Sequence, residues 1–484
     1  MLRSVKTHLV PRANPPSMTR LLIAATLLCG SAGFRSAHAA NTVQDWNNEF
    51  LLITQQTSGN LVAGPPEVAR EIAQMGEAMS DAVNAASGST ISSFAYTGGS
   101  VATADARVAA ATAAYTVLSN IFTDPAWQVP ISTVTSSGTV NASNVNLANN
   151  VIIPELQSFL SSQLSSLGLS SPGSCSGSTT SGCLGYNLGI AAATAVDNAP
   201  GTSPRLSGAV ASIQNGLLTN VPAGSGVTPG VFVPPTARPE MFPTWGSVTP
   251  TGLTSAQVAA AQALVSGPPP LNSTAYANSL LQTECQGSSG GQSSLPGNLP
   301  AVCAAAGFGQ TAAQAQADAT SALFWNDPGT TTQPPGHWLN IADTAMTSQG
   351  SSLLQSARLT ALLGQSMNDA GIAVWGDKYT YNLWRPITAI RDCTSSGNGV
   401  TWTNPTCDPT WSPLIVTPPH PDYLAGHPGF SGSAATVLAD FFGTDSIPGG
   451  FSSTTNYYCN GGTNNFNAAN QPAPGRTCPL LSRQ

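Results

Sequence analysis

Apolar side chains recur every three or four positions over long parts of this chain. Val68, Ile72, Met75, Met79 and Val83 form one such series, with Pro66 and Glu67 near its start. The spacing predicts a helix over Pro65–Ala86. Thr103 to Phe122 repeats the pattern through Val108, Tyr115, Leu118 and Ile121. Further helices are expected at 152–167, 185–196, 254–265, 311–324 and 350–375. Strand patterns are few and short, so the fold class is mainly α. The many alanines leave room for helices to pack closely.

Long polar stretches separate these segments, at 129–150, 168–184, 197–251 and 284–300. The stretch 197–251 is rich in Pro and Gly. Loops of this length are uncommon unless they cover or decorate something. A break near 300–310 divides an N-terminal helical region, 40–310, from a C-terminal region, 311–484. One continuous helical domain is the other reading.

Residues 1–39 read as a secretory signal peptide. Arg3, Lys6, Arg12 and Arg20 make its basic region, Leu21 to Phe34 its apolar region, and Ala37-His38-Ala39 its cleavage site. No later apolar run approaches the roughly 20 residues of a membrane helix. The mature protein is therefore expected to be secreted or periplasmic, with no membrane span. The leader holds five of the 15 basic residues, and its loss takes the formal charge from −7 to −12. That acidity argues against a nucleic-acid partner.

Eight cysteines remain beyond the leader: Cys175, Cys183, Cys285, Cys303, Cys393, Cys407, Cys459 and Cys478. All lie in Gly/Ser/Asn/Pro-rich stretches, which in an exported protein favours disulfides. Pairing of neighbours, closing four short surface loops, is the simplest connectivity. A zinc site is the alternative, but no Cys-x-x-Cys or nearby His supports one, and no metal ligands are assigned.

Charge is scarce, with 8% Asp, Glu, Lys and Arg together. Against that background the basic residues near 380 stand out. Lys378 is the only lysine after the leader, and Arg385 and Arg391 follow it closely. Seven residues are about two helical turns, so on one helix Lys378 and Arg385 would share a face. An ammonium and a guanidinium fork so placed can grip one tetrahedral oxyanion. A solvated helix face is the plainer alternative. Pro418 to Ala435 then reads as a loop delivering Gly426 and His427 to a helix start, where free N–H groups attract anions. Gly426 allows close approach of the backbone, and His427 can exchange a proton near neutral pH.

Other residues receive plainer readings. His337 and His420 are read as structural or rim residues, and Trp375 as core. Trp384 is read as core or site lining. Arg391 is expected to meet a carboxylate or carbonyl. Asp422 would orient a site residue or cap a loop.

Lys378-x6-Arg385-Pro386, followed by the Gly426-His427 loop, resembles a superfamily. It unites vanadium-dependent haloperoxidases with type 2 phosphatidic acid phosphatases and class A acid phosphatases. Val43-Gln-Asp-Trp46-Asn, Glu77-Ala-Met-Ser-Asp81-Ala-Val-Asn84, Phe324-Trp325-Asn-Asp327 and Pro335-Gly336-His337-Trp338 resemble its soluble haloperoxidase-like branch. The resemblance implies a helical bundle. It also implies that Lys378, Arg385 and Gly426 bind vanadate or phosphate and that His427 is the acid–base group. Ala425 stands where the family pattern has Ser, a lost hydroxyl costing the anion site about 1 kcal/mol. The family's third motif, Ser-Arg-x-x-x-Gly-x-His, is matched only by Ser482-Arg483, and no His follows His427.

Three functions are compatible with this pattern. A haloperoxidase would use vanadate as cofactor, with peroxide and halide as small-molecule partners. An acid phosphatase would bind phosphoesters and need no cofactor. A truncated, inactive relative would bind anions only.

Overall fold

The computed structural model describes residues 41–57, 64–124, 148–170, 173, 175–199, 228–233, 240–328, 331–448, 450–453 and 481–483. All lie within the unit His38–Gln484. The signal-peptide reading of 1–39 falls outside the described residues, as do Cys459, Cys478 and much of 129–150 and 197–251.

The described residues form thirteen α-helices and two short strand pairs. In chain order the helices are α1 (Thr42–Thr57), α2 (Pro65–Ala86), α3 (Ala106–Thr123), α4 (Ile153–Ser166), α5 (Ser181–Asp197), α6 (Ser255–Gln262) and α7 (Thr274–Gln286). They continue with α8 (Leu299–Ala305), α9 (Ala312–Asn326), α10 (Gln333–Gln349), α11 (Leu353–Tyr381), α12 (Pro386–Arg391) and α13 (Gly426–Phe442). Strands β1 (Thr394–Gly397) and β2 (Val400–Thr403) form an antiparallel hairpin. Strand β3 (Phe451–Ser453) pairs antiparallel with β4 (Leu481–Arg483). The mainly α expectation holds.

The centre of the molecule is α2, buried from Pro66 to Ala86. Two prolines fit its first turn, where their missing N–H groups cost nothing. Glu67 accepts the Gly64 N–H at 3.2 Å. α2 packs on α11, α3, α5 and α10. Its crossing with α11 is sealed by glycines. A Cβ on Gly76 would lie 2.5 Å from the Ala361 nitrogen, and one on Gly364 would lie 2.3 Å from that of Ala73. The two backbones therefore touch, as small residues at a helix crossing permit.

Buried carboxylates tie loops to these helices. Asp81 accepts from the backbone nitrogens of Phe94, Ala95 and Tyr96 at 2.7–2.8 Å. Asp369 on α11 accepts from those of Thr251, Gly252 and Leu253 at 2.6–2.9 Å. The described end of the Pro/Gly-rich loop is thus a brace on α11. Its Met241 carbonyl accepts from Trp375 Nε1 at 3.3 Å and from the Tyr379 hydroxyl at 2.7 Å. Its Met241 N–H donates to the Pro419 carbonyl at 2.9 Å. One strand of loop therefore joins α11 to the segment ahead of α13.

Two hydrophobic clusters result. The larger draws on α1 to α6, α10, α11 and α13. The smaller holds Tyr276, Leu280, Cys285, Cys303, Leu383, Trp384, Ile390, Trp402 and Trp411. Disulfides Cys285–Cys303 and Cys393–Cys407 staple its loops, and Cys175–Cys183 lies in the helical part. Three neighbour pairings are thus as expected, and the fourth falls outside the described residues.

Candidate functional site

The expectation that Lys378 and Arg385 share one helix is overturned. α11 ends at Tyr381, and Asn382 caps it in the left-handed region at φ 46°, donating its N–H to the Lys378 carbonyl. Asn tolerates that conformation better than most residues. Arg385 comes next as the extended N-cap of α12, because a residue before proline is pushed out of the helical region. A short strap fixes the intervening turn. The Phe232 N–H donates to the Asn382 carbonyl at 2.8 Å, the Trp384 N–H to that of Gly230 at 3.0 Å, and the Asp422 N–H to that of Leu383 at 3.0 Å.

The two cations nevertheless converge, on Asp422. Lys378 is fully buried. Its ammonium donates to the Pro421 carbonyl at 2.9 Å and the Asp422 carbonyl at 3.1 Å, leaving one of three N–H groups for another acceptor. Arg385 Nη1 lies 3.3 Å from Asp422 Oδ1. Arg385 Nε is buried and has no protein hydrogen-bond partner among the described residues. An unpaired buried guanidinium N–H is costly and invites an anionic ligand.

Gly426 opens α13 beside Lys378. A Cβ there would stand 3.3 Å from the Trp375 ring and 3.9 Å from Lys378 Cε. Ala425, the N-cap, offers no side-chain acceptor to the first N–H groups of α13. Those donors and the helix dipole point outward, an arrangement suited to an oxyanion. The sequence-read Lys378, Arg385, Gly426 and Asp422 therefore stand together.

Electrostatics follow from burial. Desolvation, reinforced by the Arg385 charge, pulls the Lys378 ammonium from 10.5 down to about 7, with Asp422 opposing. Burial also lowers Arg385, again opposed by Asp422, though a guanidinium remains charged at neutral pH. His420 packs on Trp375 with ring centroids 5.5 Å apart. Burial first, then the charges of Lys378 and Arg385, hold it well below its usual value. It is a neutral imidazole beside two cations.

His427 is exposed at the second position of α13, with Nε2 3.2 Å from the Asn326 carbonyl. A carbonyl only accepts, so we assign the proton to Nε2 and the free lone pair to Nδ1. Trp384 is buried in the smaller cluster, its Nε1 donating to the Tyr276 hydroxyl at 2.5 Å and its ring edge-on to Trp402. It supports the turn carrying Arg385 from behind. Arg391 donates to the Trp411 carbonyl at 2.7 Å.

One pair escaped the sequence reading. His337 on α10 is buried, with Nδ1 3.1 and 3.0 Å from the two Asp327 oxygens and Nε2 unpartnered among the described residues. Asp327 closes α9 in the left-handed region at φ 40°. Phe324, Trp325 and Phe451 surround the imidazole. An apolar cleft of about 260 Å³ lies nearby, between α9, α10 and α13. The segments Phe324–Asp327 and Pro335–Trp338 were singled out, but their ten-residue pairing had no local signature.

Comparison with known proteins locates the likeness along the chain. Residues 358–478, which include Lys378, Arg385 and His427, match the family described as the VCPO second helical-bundle domain. Vanadium chloroperoxidase of Curvularia inaequalis is 31% identical over 96 residues, which are 18% of this chain and 14% of that protein. The sequence match thus spans a small part of that relative. The fold likeness is wider. The crystal structure of the first bacterial vanadium-dependent iodoperoxidase aligns with TM-score 0.53 and 18% identity, over 83% of this chain and 80% of that one. A holo-type bacterial vanadium-dependent chloroperoxidase aligns with TM-score 0.51 and 14% identity, over 93% and 89%. The mainly helical fold is that of the vanadium haloperoxidases. The sequence match to that family lies within residues 358–478.

Proposed function

We propose that this chain is a haloperoxidase-like protein that binds vanadate where α11, α12 and α13 meet. The observation that carries the reading is the convergence of buried Lys378 and largely covered Arg385 on Asp422, with the start of α13 beside Lys378 and Arg385 Nε unpaired among the described residues. These donors fit a tetrahedral oxyanion: one remaining ammonium N–H, one guanidinium N–H and the helix N-terminus. Lys378 and Arg385 would hold and orient the anion, and Gly426 would let the backbone reach it. Bound vanadate supplies the activation of peroxide that haloperoxidases use to oxidise halide.

The remaining steps belong to side chains. His427 Nδ1 is free to take a proton, and the Asn326 carbonyl keeps the ring in that tautomer. His420 packs on Trp375, whose ring lies 5.8 Å from the Lys378 ammonium and shields it on that side. Three disulfides among the described residues support an oxidising compartment for this work. No described helix is long and apolar enough to cross a membrane.

The test is turnover by the expressed full chain. With bromide present, vanadate and peroxide together are expected to drive bromination of a phenol dye, and His427→Ala to lower the rate about 100-fold. Vanadate binding without turnover would reduce the reading to an anion binder. Hydrolysis of an aryl phosphate, inhibited by vanadate, would replace it with a phosphatase.

A further inference from the structure

We infer that Asp422 sets the anion specificity of this site, admitting oxyanions that carry an O–H group and rejecting fully deprotonated ones. This rests on the oxyanion-binding reading above and adds the residue that decides which anion enters. Asp422 meets the cationic pair twice. Its peptide carbonyl accepts from Lys378 at 3.1 Å, and its carboxylate lies 3.3 Å from Arg385 Nη1. Its own N–H is held by the Leu383 carbonyl at 3.0 Å, and its neighbour Pro421 accepts from Lys378 at 2.9 Å. These backbone bonds keep Asp422 within reach of the guanidinium.

An anion held between Arg385 and the free Lys378 N–H therefore shares both cations with Asp422. A carboxylate only accepts hydrogen bonds. Two facing acceptors with no proton between them repel, whereas an O–H on the ligand would donate to Asp422. The nearby His420 is neutral and cannot relieve that repulsion. Phosphate and vanadate retain at least one O–H at neutral pH, and sulfate retains none. A polar group built to meet a ligand hydroxyl discriminates strongly against the analogue lacking it.

The test is the dissociation constant of phosphate, vanadate and sulfate, measured by calorimetry on the full chain. Wild type is expected to bind sulfate about 100-fold more weakly than phosphate. Asp422→Asn, which offers a donor where the carboxylate stood, should shrink that gap to about tenfold or less by tightening sulfate. Asp422→Ser serves the same purpose if the amide variant fails to fold. A merely structural Asp422 would change all anions alike and leave the ratio intact, which would overturn the inference. So would equal affinity of wild type for sulfate and phosphate, a result needing no variant. If Lys378→Ala abolishes binding while Asp422→Asn leaves the ratio unmoved, the site stands and only this inference falls. If folded wild type binds no oxyanion and Asp422→Asn binds none, both fall together.

Discussion

The large helical cluster and the small tryptophan-rich cluster are held together by different means. Around α2 and α11 the fit is steric: backbones touch at Gly76 and Gly364, and buried alanines fill the rest. Around Trp384, Trp402 and Trp411 the elements are short, and two disulfides and indole hydrogen bonds replace helix packing. Lys378 belongs to α11 in the first region. Arg385 rides on a turn braced by the second, through Trp384. A charge pair needs exact spacing but cannot be packed like a core. Placing each cation on a separately stiffened body, with Asp422 spanning the gap, meets that need.

The sharpest way to break the contrast is to overfill the helical side. Gly364→Leu forces a side chain into the Ala73 backbone and is expected to cost about 4 kcal/mol, read from chemical denaturation. Anion binding should be lost only in step with unfolding. The opposite lesion is Cys393→Ser with Cys407→Ser, which opens a loop of 14 residues. It should cost about 3 kcal/mol, keep the helical circular dichroism, and weaken anion binding by loosening the Arg385 side. Equal damage to binding and helicity would erase the distinction between the two regions.

A smaller effect is expected from pH. Burial gives the Lys378 ammonium a value of about 7 without a bound anion. An anion favours the charged amine, so binding takes up a proton once the free amine has lost its own. Affinity should therefore fall as pH rises above about 7, by up to about tenfold per unit. The same depression means that Lys378 penalises folding most below pH 7. That penalty fades as pH climbs towards 10.5, where the unfolded amine also deprotonates. Thermal stability of the anion-free protein against pH checks the sign, with Arg385, Asp422 and His420 as the neighbouring groups that also contribute.

The helices carried by strong periodicity were legible. Pro65–Ala86 was read to the residue, because prolines mark its start and five apolar residues mark one face. α1, α7, α8, α10 and α12 went unread. α10 begins with prolines that look like a loop until their place in the first turn is known. The only lysine beyond residue 39 drew attention to Lys378, Arg385, Gly426 and Asp422 as a set. Their placement was not legible. Asn382 and the proline after Arg385 mark a helix end and a new start, and that local signal outweighs a seven-residue count. Trp384 was half-read, because its partners Tyr276 and Trp402 come from distant segments. The Asp327–His337 contact depends on how α9 meets α10, which no periodicity encodes.

The account stands on Lys378 and Arg385 acting together on one oxyanion. Calorimetric titration of the full chain with orthovanadate tests this most directly, comparing wild type with Lys378→Ala and Arg385→Ala. Each variant is expected to lose about 100-fold in affinity while remaining folded by circular dichroism. Undiminished vanadate affinity in the folded Lys378→Ala protein would contradict the account.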